Sequence, residues 1–142
     1  MSLPKITFEG RLTADPELRF TPSGKAVANF TIASNDRRKN DAGEWEDGPT
    51  CFIRCSIWDK AAENAAESLL KGMLVHAEGK LGQREYEKDG QKVTTYEAVL
   101  WWVAPSIKWG TARFSKTERA ATAGSAPDPW QTPAGQDDEP PF

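Results

Sequence analysis

The chain has 142 residues, enough for one domain with a hydrophobic core and a tail but too few for two ordinary domains. It carries 18 basic and 21 acidic side chains, and this net charge of −3 argues against a nucleic-acid-binding protein when the chain is taken whole. Its apolar runs are short and its N-terminus has no apolar signal stretch, so we expect a cytoplasmic protein that does not span a membrane.

The composition changes near residue 116, where Val, Ile and Leu almost disappear and proline becomes frequent. We predict a folded domain over residues 1–116, a disordered linker over 117–136 and an acidic tip over 137–142, because the tail has too little apolar surface to offset its ordering entropy. The tail carries five acidic residues and one basic residue, so the body has a charge of +1 and the acidity lies in the tail.

The first half of the body predicts three strands with apolar residues at alternate positions: KITFEGRL (5–12), AVANFTIAS (26–34) and TCFIRCSIW (50–58). A Pro-Ser-Gly turn separates the first two strands. The polar stretch NDRRKNDAGEWEDG (35–48) is predicted to be a long hairpin loop.

The second half predicts one helix and then a long hairpin. In DKAAENAAESLLKG (59–72), Asp59 is the expected N-cap and Gly72 the residue that ends the helix. The expected packed stripe of this helix is Ala62, Ala65, Ala66, Leu69 and Leu70. Strands over 73–87 and 92–103 flank a KDGQ turn. Five strands with one helix between the third and fourth favour an all-β, five-stranded Greek-key barrel of the OB type.

The third strand has the most informative pattern. Its apolar side, expected to face the barrel interior, is Cys51, Ile53, Cys55 and Ile57. Its other side is Phe52, Arg54, Ser56 and Trp58. Aromatic rings stack on bases of any identity and a guanidinium neutralises phosphate, so this row is suited to single-stranded nucleic acid. Filling of a core or an oligomer interface by Phe52 and Trp58 is an equal alternative at this point.

Other aromatic and basic residues extend the candidate surface. Tyr86 lies among Arg84 and Lys88 near the hairpin tip, and Arg37 and Arg38 precede Trp45 in the polar loop. A loop with a charge run is usually only solvated, although an exposed tryptophan favours binding.

Several remaining residues are better explained by structure than by chemistry. Trp101, Trp102 and Trp109 are predicted to lie in the core or a subunit interface, and His76 to be packed or solvent-facing.

The two cysteines and one histidine do not supply four zinc ligands, so a zinc site would need carboxylate ligands as well, and we expect no metal or cofactor. Cys51 and Cys55 would lie about 13 Å apart along one strand, too far for a disulfide within the chain. We expect reduced, buried thiols, and a disulfide between subunits is the alternative.

At this length the chain resembles the bacterial single-stranded DNA-binding proteins, most closely the actinobacterial type, which phages of those hosts also carry. The stretches that carry the resemblance are GRLTADPELRFTPSGKAVANFTIAS (10–34), GEWEDGPTCFIRCSIWDKAAENAAESLLKG (43–72), VHAEGKLGQREYEKDGQK (75–92), PSIKWGTARF (105–114) and the tip DDEPPF. The resemblance implies an OB-fold homotetramer that wraps single-stranded DNA, with an extra C-terminal strand at 105–114 that pairs across a dimer. It also implies an acidic tip that recruits replication, repair and recombination proteins.

By position, the resemblance assigns stacking to Phe52, Trp58 and Tyr86, and phosphate contact to Arg54 and Lys60. The full set of residues expected to contact DNA is Arg19, Arg37, Arg38, Trp45, Phe52, Arg54, Trp58, Lys60, Arg84, Tyr86 and Lys88. The residues expected to bind partners are Asp137, Asp138, Glu139, Pro140, Pro141 and Phe142.

The leading hypothesis is a non-enzymatic protein that binds and protects single-stranded DNA during replication, recombination and repair. The alternative is a replisome or primosome adaptor whose OB domain mainly docks protein. An enzyme is the weakest interpretation, because the sequence has no nucleophile–base pair, phosphate-binding glycine loop or paired carboxylate site.

Overall fold

The computed structural model describes residues 1–117. The chain divides into the units Met1–Ala112 and Arg113–Phe142, and of the second unit only residues 113–117 are described. Within the described residues there are six strands and one helix: β1 Lys5–Leu12, β2 Glu17–Phe20, β3 Ala26–Lys39, β4 Trp45–Trp58, α1 Asp59–Ser68, β5 Leu74–Lys88 and β6 Gln91–Pro105. The predicted linker and acidic tip lie outside the described residues, apart from Thr117.

The five long strands form a closed sheet. Its order is β1-β5-β6-β4-β3-β2, and β1 also pairs with β3, so the long strands close on themselves while the short β2 lies beside β3. The β4–β6 pair is parallel and the others are antiparallel. At the closure, a Cβ on Gly10 would lie 2.5 Å from the Ala33 carbonyl oxygen, so β1 and β3 can meet there only because Gly10 has no side chain. The expected barrel with one helix between its third and fourth long strands is confirmed.

The core lies inside the barrel and under α1. Alternate strand residues such as Leu12, Ile32 and Val75 are buried, as the period of two requires. From the helix and the residue that follows it, Ala62, Ala65 and Leu69 are buried. The helix therefore covers part of the barrel through small residues that allow close approach.

The predicted ends of the helix are wrong. Trp58, with extended backbone, occupies the N-cap position without a side-chain cap, and Asp59 is the first helical residue. The helix ends at Ser68 with Leu69 as C-cap, and Gly72 lies in the following turn at φ +86°. Because the helix has ended, Leu70 is exposed instead of continuing the packed stripe.

The polar stretch 35–48 is mostly strand, so the prediction of a long loop is wrong there. β3 and β4 extend beyond the barrel as a paired arm to Lys39 and Trp45, joined by residues 40–44. Cross-strand pairs of opposite charge hold the arm, with 3.7 Å from Arg37 Nε to Asp47 Oδ1 and 3.0 Å from Arg38 Nε to Glu46 Oε1. Polar residues thus support a strand here because they are matched across it.

Two further differences concern short segments. β2 (Glu17–Phe20) was not predicted, since four exposed residues give no periodic apolar signal. No strand forms over residues 106–117 in the single chain. The extra strand predicted at 105–114 is expected to pair with a second subunit, which a single chain does not contain. Its pairing across a dimer therefore stays a prediction.

Candidate nucleic-acid interface

The end of β4 that lies in the barrel presents two chemically different faces. Ile53, Cys55 and Ile57 are buried, while Phe52 is 59% exposed and Trp58 40% exposed. The predicted alternation is therefore confirmed from Ile53 onward. Cys51 is exposed, so its predicted interior position is wrong, because β4 has passed out of the barrel into the arm at that point.

A groove of about 490 Å³ lies beside Phe52. It combines aromatic rings, hydroxyl groups and one guanidinium: its lining is Thr31, Thr50, Cys51, Phe52, Arg54, Thr94, Thr95 and Tyr96. Exposed rings beside hydroxyl donors and a single cation are suited to stacking a base and contacting its phosphate. We call this the aromatic groove.

Tyr96 is the site residue that sequence reasoning missed. It has the same alternation as the buried Ala98 and Leu100, which is typical of a core residue. In the structure it is 45% exposed and lines the aromatic groove. The parallel register then pairs Tyr96 with Ile53, next to Phe52. The sequence carries no local signal of this exposure, because Tyr96 shares its alternation with core residues.

A second groove, of about 640 Å³, continues along the barrel from Arg54 and Thr31, which line both grooves. We call it the charged groove. Its charged lining residues are three arginines and three carboxylates: Arg19, Arg54, Arg84, Asp15, Glu17 and Glu97. Its formal charge is therefore zero, whereas the lining of the aromatic groove holds Arg54 as its one ionic side chain at neutral pH.

Two of these arginines already have carboxylate partners. Arg19 donates through Nε and a terminal nitrogen to Glu17 Oε1 at 3.0 and 2.7 Å, and Arg84 lies 3.6 Å from Glu97. Arg54 forms no ion pair with any residue from 1 to 117. Arg54 is therefore the cation of these grooves that can meet a phosphate without displacing a carboxylate.

The other predicted DNA-contacting residues do not line either groove within the described chain. Trp58 is the last residue of β4, and Lys60 follows it in α1 with its ammonium 3.3 Å from Glu63. Tyr86, 37% exposed, and Lys88 lie near the end of β5 beside the confirmed hairpin turn, where Asp89 and Gly90 have φ of 53° and 78°.

The β3–β4 arm carries the remaining predicted group. Trp45 is 60% exposed, and the Lys39 ammonium lies 5.4 Å from its ring centroid. Arg37 and Arg38 are paired to carboxylates on the opposite strand. The arm thus presents an accessible ring beside the Lys39 ammonium, while its two arginines are paired to carboxylates.

The tryptophans of β6 and the segment after it are not in the core of the chain. Trp101, Trp102 and Trp109 are 48%, 43% and 73% exposed, so the core alternative is wrong and the interface alternative stays a prediction. A register shift between Glu78 and Gly79 leaves Trp101 unpaired, so the alternation breaks there.

The single histidine and the cysteines have ordinary structural surroundings. His76 faces outward, 3.4 Å from a Glu9 oxygen. Cys51 and Cys55 form no disulfide within the chain, and of the two thiols predicted to be buried only Cys55 is. Burial raises the pKa of the Cys55 thiol to about 12, against a smaller lowering by a backbone hydrogen bond at Ile32.

Within residues 1–117 no group of three or more His, Cys, Asp or Glu residues could hold a metal ion. The same residues include no helix long and apolar enough to cross a bilayer.

The model of the single-strand binding protein family matches residues 3–103. The chain belongs to this family. It is 48% identical to the single-stranded DNA-binding protein of Mycobacterium tuberculosis and 47% identical to that of Mycolicibacterium smegmatis, with 96% of both chains covered in each case. The predicted actinobacterial resemblance is thereby confirmed.

Solved structures agree with the fold. A small single-stranded DNA-binding protein from Streptomyces coelicolor matches with a TM-score of 0.70 and 25% identity, over 78% of this chain and 100% of that one. A deletion mutant of the single-stranded DNA-binding protein from Thermus aquaticus matches with a TM-score of 0.58 and 28% identity, over 74% and 51%. The family is one of binding proteins, in agreement with the prediction that the chain is not an enzyme.

Proposed function

We propose that this chain binds single-stranded DNA without sequence specificity, with the strand lying along β4 through the aromatic groove. The observation that carries the proposal is the placement of Phe52 and Tyr96, both about half exposed, beside Arg54, which forms no ion pair with residues 1–117. A ring stacked on a base contributes about 1–3 kcal/mol whatever the base. The names of the family and of the bacterial relatives support the same ligand.

Trp58 and the ring of Trp45 extend the proposed path beyond the grooves. Both are exposed, one at the end of β4 and one on the arm. Threonines also line the aromatic groove, and the hydroxyls of Thr31, Thr50 and Thr94 are proposed to donate to phosphate and sugar oxygens, whereas that of Thr95 donates to the Arg84 carbonyl oxygen at 3.5 Å. Because these contacts read no base edge, oligo(dT) and mixed sequences are expected to bind similarly.

The test is a titration of fluorescently labelled oligo(dT) with the full chain, followed by anisotropy from low to physiological salt, with duplex DNA as control. We expect tight binding of oligo(dT), weak binding of the duplex and an affinity that falls as salt rises. Absence of oligo(dT) binding at low salt would overturn the proposal.

The proposed role is protection of single strands in replication, recombination and repair, in the cytoplasm at the nucleoid. The acidic tip, residues 137–142, is proposed to recruit replication, repair and recombination proteins, with carboxylates paired to partner cations and Phe142 as an apolar anchor. Deleting 137–142 should abolish that recruitment. It should also raise DNA affinity at low salt, because it removes the three acidic residues of the tip, Asp137, Asp138 and Glu139, which repel phosphate.

The proposed assembly is a homotetramer. Residues 5–10 of β1 pair with β5 on one side, while β3 reaches only Arg11 and Leu12, so part of one strand edge is unpaired within the described chain. An unpaired edge is a template for a second chain, and the exposed Trp101 and Trp102 offer apolar surface to bury. Light scattering with and without long single-stranded DNA tests both the tetramer and the wrapping; a monomeric mass would contradict the assembly.

A further inference from the structure

The charged groove contains its own competitors for phosphate. We infer that Glu17 and Glu97 act as internal anions, which occupy Arg19 and Arg84 in the free protein and must be displaced before those arginines can contact DNA. The inference rests on the proposed binding of single-stranded DNA, and it concerns how strongly and how salt-dependently that site binds.

Geometry supports a real competition at Arg19. Glu17 and Arg19 lie two residues apart on the exposed β2, so they project to one side of the strand. The carboxylate takes two hydrogen bonds from one edge of the guanidinium, at 3.0 and 2.7 Å. A phosphate makes its bidentate contact with that kind of edge.

Arg84 and Glu97 form the second pair, across the β5–β6 hairpin. Their nearest nitrogen and oxygen are 3.6 Å apart, and the side chains are 68% and 40% exposed. An exposed pair of this kind is weak, so a phosphate can replace the carboxylate. The glutamate then loses its partner and leaves a negative charge beside the strand.

Asp15 is the third carboxylate of the charged groove, and it is bound to the backbone instead of to an arginine. Its carboxylate accepts a hydrogen bond from the Lys71 backbone N–H at 2.7 Å, which ties the segment between β1 and β2 to the segment after α1. Its charge is therefore held by the fold and not by a groove cation. Arg54 belongs to neither ion pair, so it can contact a phosphate without displacing a carboxylate of residues 1–117.

The experiment compares oligo(dT) affinity and its salt dependence for the full chain and for E97Q and E17Q. Each substitution keeps the side-chain shape and frees one arginine, so we expect about a two- to fivefold increase in affinity at low salt. The slope of log affinity against log salt concentration should steepen by about 0.7 for each additional phosphate that the freed arginine neutralises.

The matched control is E67Q, which removes the same charge from an exposed position of α1 outside both grooves. A second control places E97Q in an R84Q background. Increases in affinity that are limited to the groove variants, and lost in that background, support the inference. An equal increase in E67Q, or an increase that persists without Arg84, would overturn it, because a general charge effect would then explain the data.

These outcomes are distinct from a failure of the proposed function. If the unmodified chain binds oligo(dT) and E97Q and E17Q match it in affinity and slope, only the competition is wrong. If the unmodified chain does not bind oligo(dT) and the substitutions fail to produce binding, both the proposed DNA binding and the competition by the glutamates are wrong.

Discussion

Replacing Phe52 by alanine should separate DNA binding from folding. Phe52 is 59% exposed in the single chain, so less than half of its side chain stabilises the fold. Full burial of a phenylalanine contributes about 1.5–3 kcal/mol, so the truncation should cost roughly 1 kcal/mol of unfolding free energy or less. If the ring stacks on a base, the same change should cost about 1–3 kcal/mol of binding free energy.

The neighbouring residue supplies the matched control. Ile53 is 4% exposed and points into the barrel, so Ile53→Ala should cost about 2–5 kcal/mol of stability through the cavity that it leaves. Its effect on DNA affinity should be small as long as the variant is folded, because it contributes nothing to the groove lining. Adjacent residues on one strand thus give opposite expected patterns.

The assay pairs urea unfolding with oligo(dT) anisotropy and light scattering for both variants. For Phe52→Ala we expect a near-native midpoint, an unchanged mass and about 5- to 150-fold weaker binding. Unchanged affinity would refute stacking by this ring. A large loss of stability or a smaller assembly would instead support its role in an interface between subunits.

Three further predictions use other features of the structure. A thiol reagent should modify the exposed Cys51 rapidly and the buried Cys55 only after unfolding. Bound oligo(dT) should slow the modification of Cys51, because this residue lines the aromatic groove. Rapid modification of both thiols would contradict the prediction. Above pH 9.0 the Cys55 thiol ionises in the unfolded chain, whereas in the folded chain its pKa of about 12 keeps it protonated. Urea unfolding should therefore show that the stability of wild type relative to Cys55→Ala falls by about 1.4 kcal/mol per pH unit toward pH 11. Parallel pH curves for the two proteins would refute this. Gly79→Ala should lose about 1–3 kcal/mol of stability in urea, because its Cβ would lie 2.1 Å from the Val99 carbonyl oxygen. Gly82→Ala is the control and should lose little, since the nearest atom to its Cβ is 3.5 Å away. Equal losses in the two variants would show that the close approach at Gly79 is not the cause.

The barrel interior could be predicted from the sequence because its signal is local. Residues such as Ile53, Cys55 and Ile57 alternate strictly and are buried on one face. The DG pair at the β5–β6 turn was equally readable, since both of its residues have the positive φ that this hairpin turn needs. In each case a few neighbouring residues contain all of the information.

The rest of the site depends on pairings between distant residues. The aromatic groove has Tyr96 because β6 lies parallel to β4 in a register that places it against Ile53, and no local pattern contains that register. The arm over 35–48 resembles a loop in composition, yet Arg38 faces Glu46 and Lys39 covers Trp45 across it. These matches appear only once the strands are in place.

Most arginines of the arm and of the charged groove lie next to a carboxylate, and these pairs limit how much their positive charge can contribute to DNA affinity. On the arm, Arg37 and Arg38 are more than half exposed and already face carboxylates, so they create little long-range attraction. Exchange of a surface carboxylate for a phosphate is close to neutral, since such pairs contribute only about 0–1 kcal/mol. We therefore expect most of the binding energy to come from rings that stack on bases, with Arg54 contacting phosphate without displacing a carboxylate. Affinity for single strands should accordingly depend more on Phe52 and its neighbouring rings than on the net charge of the chain.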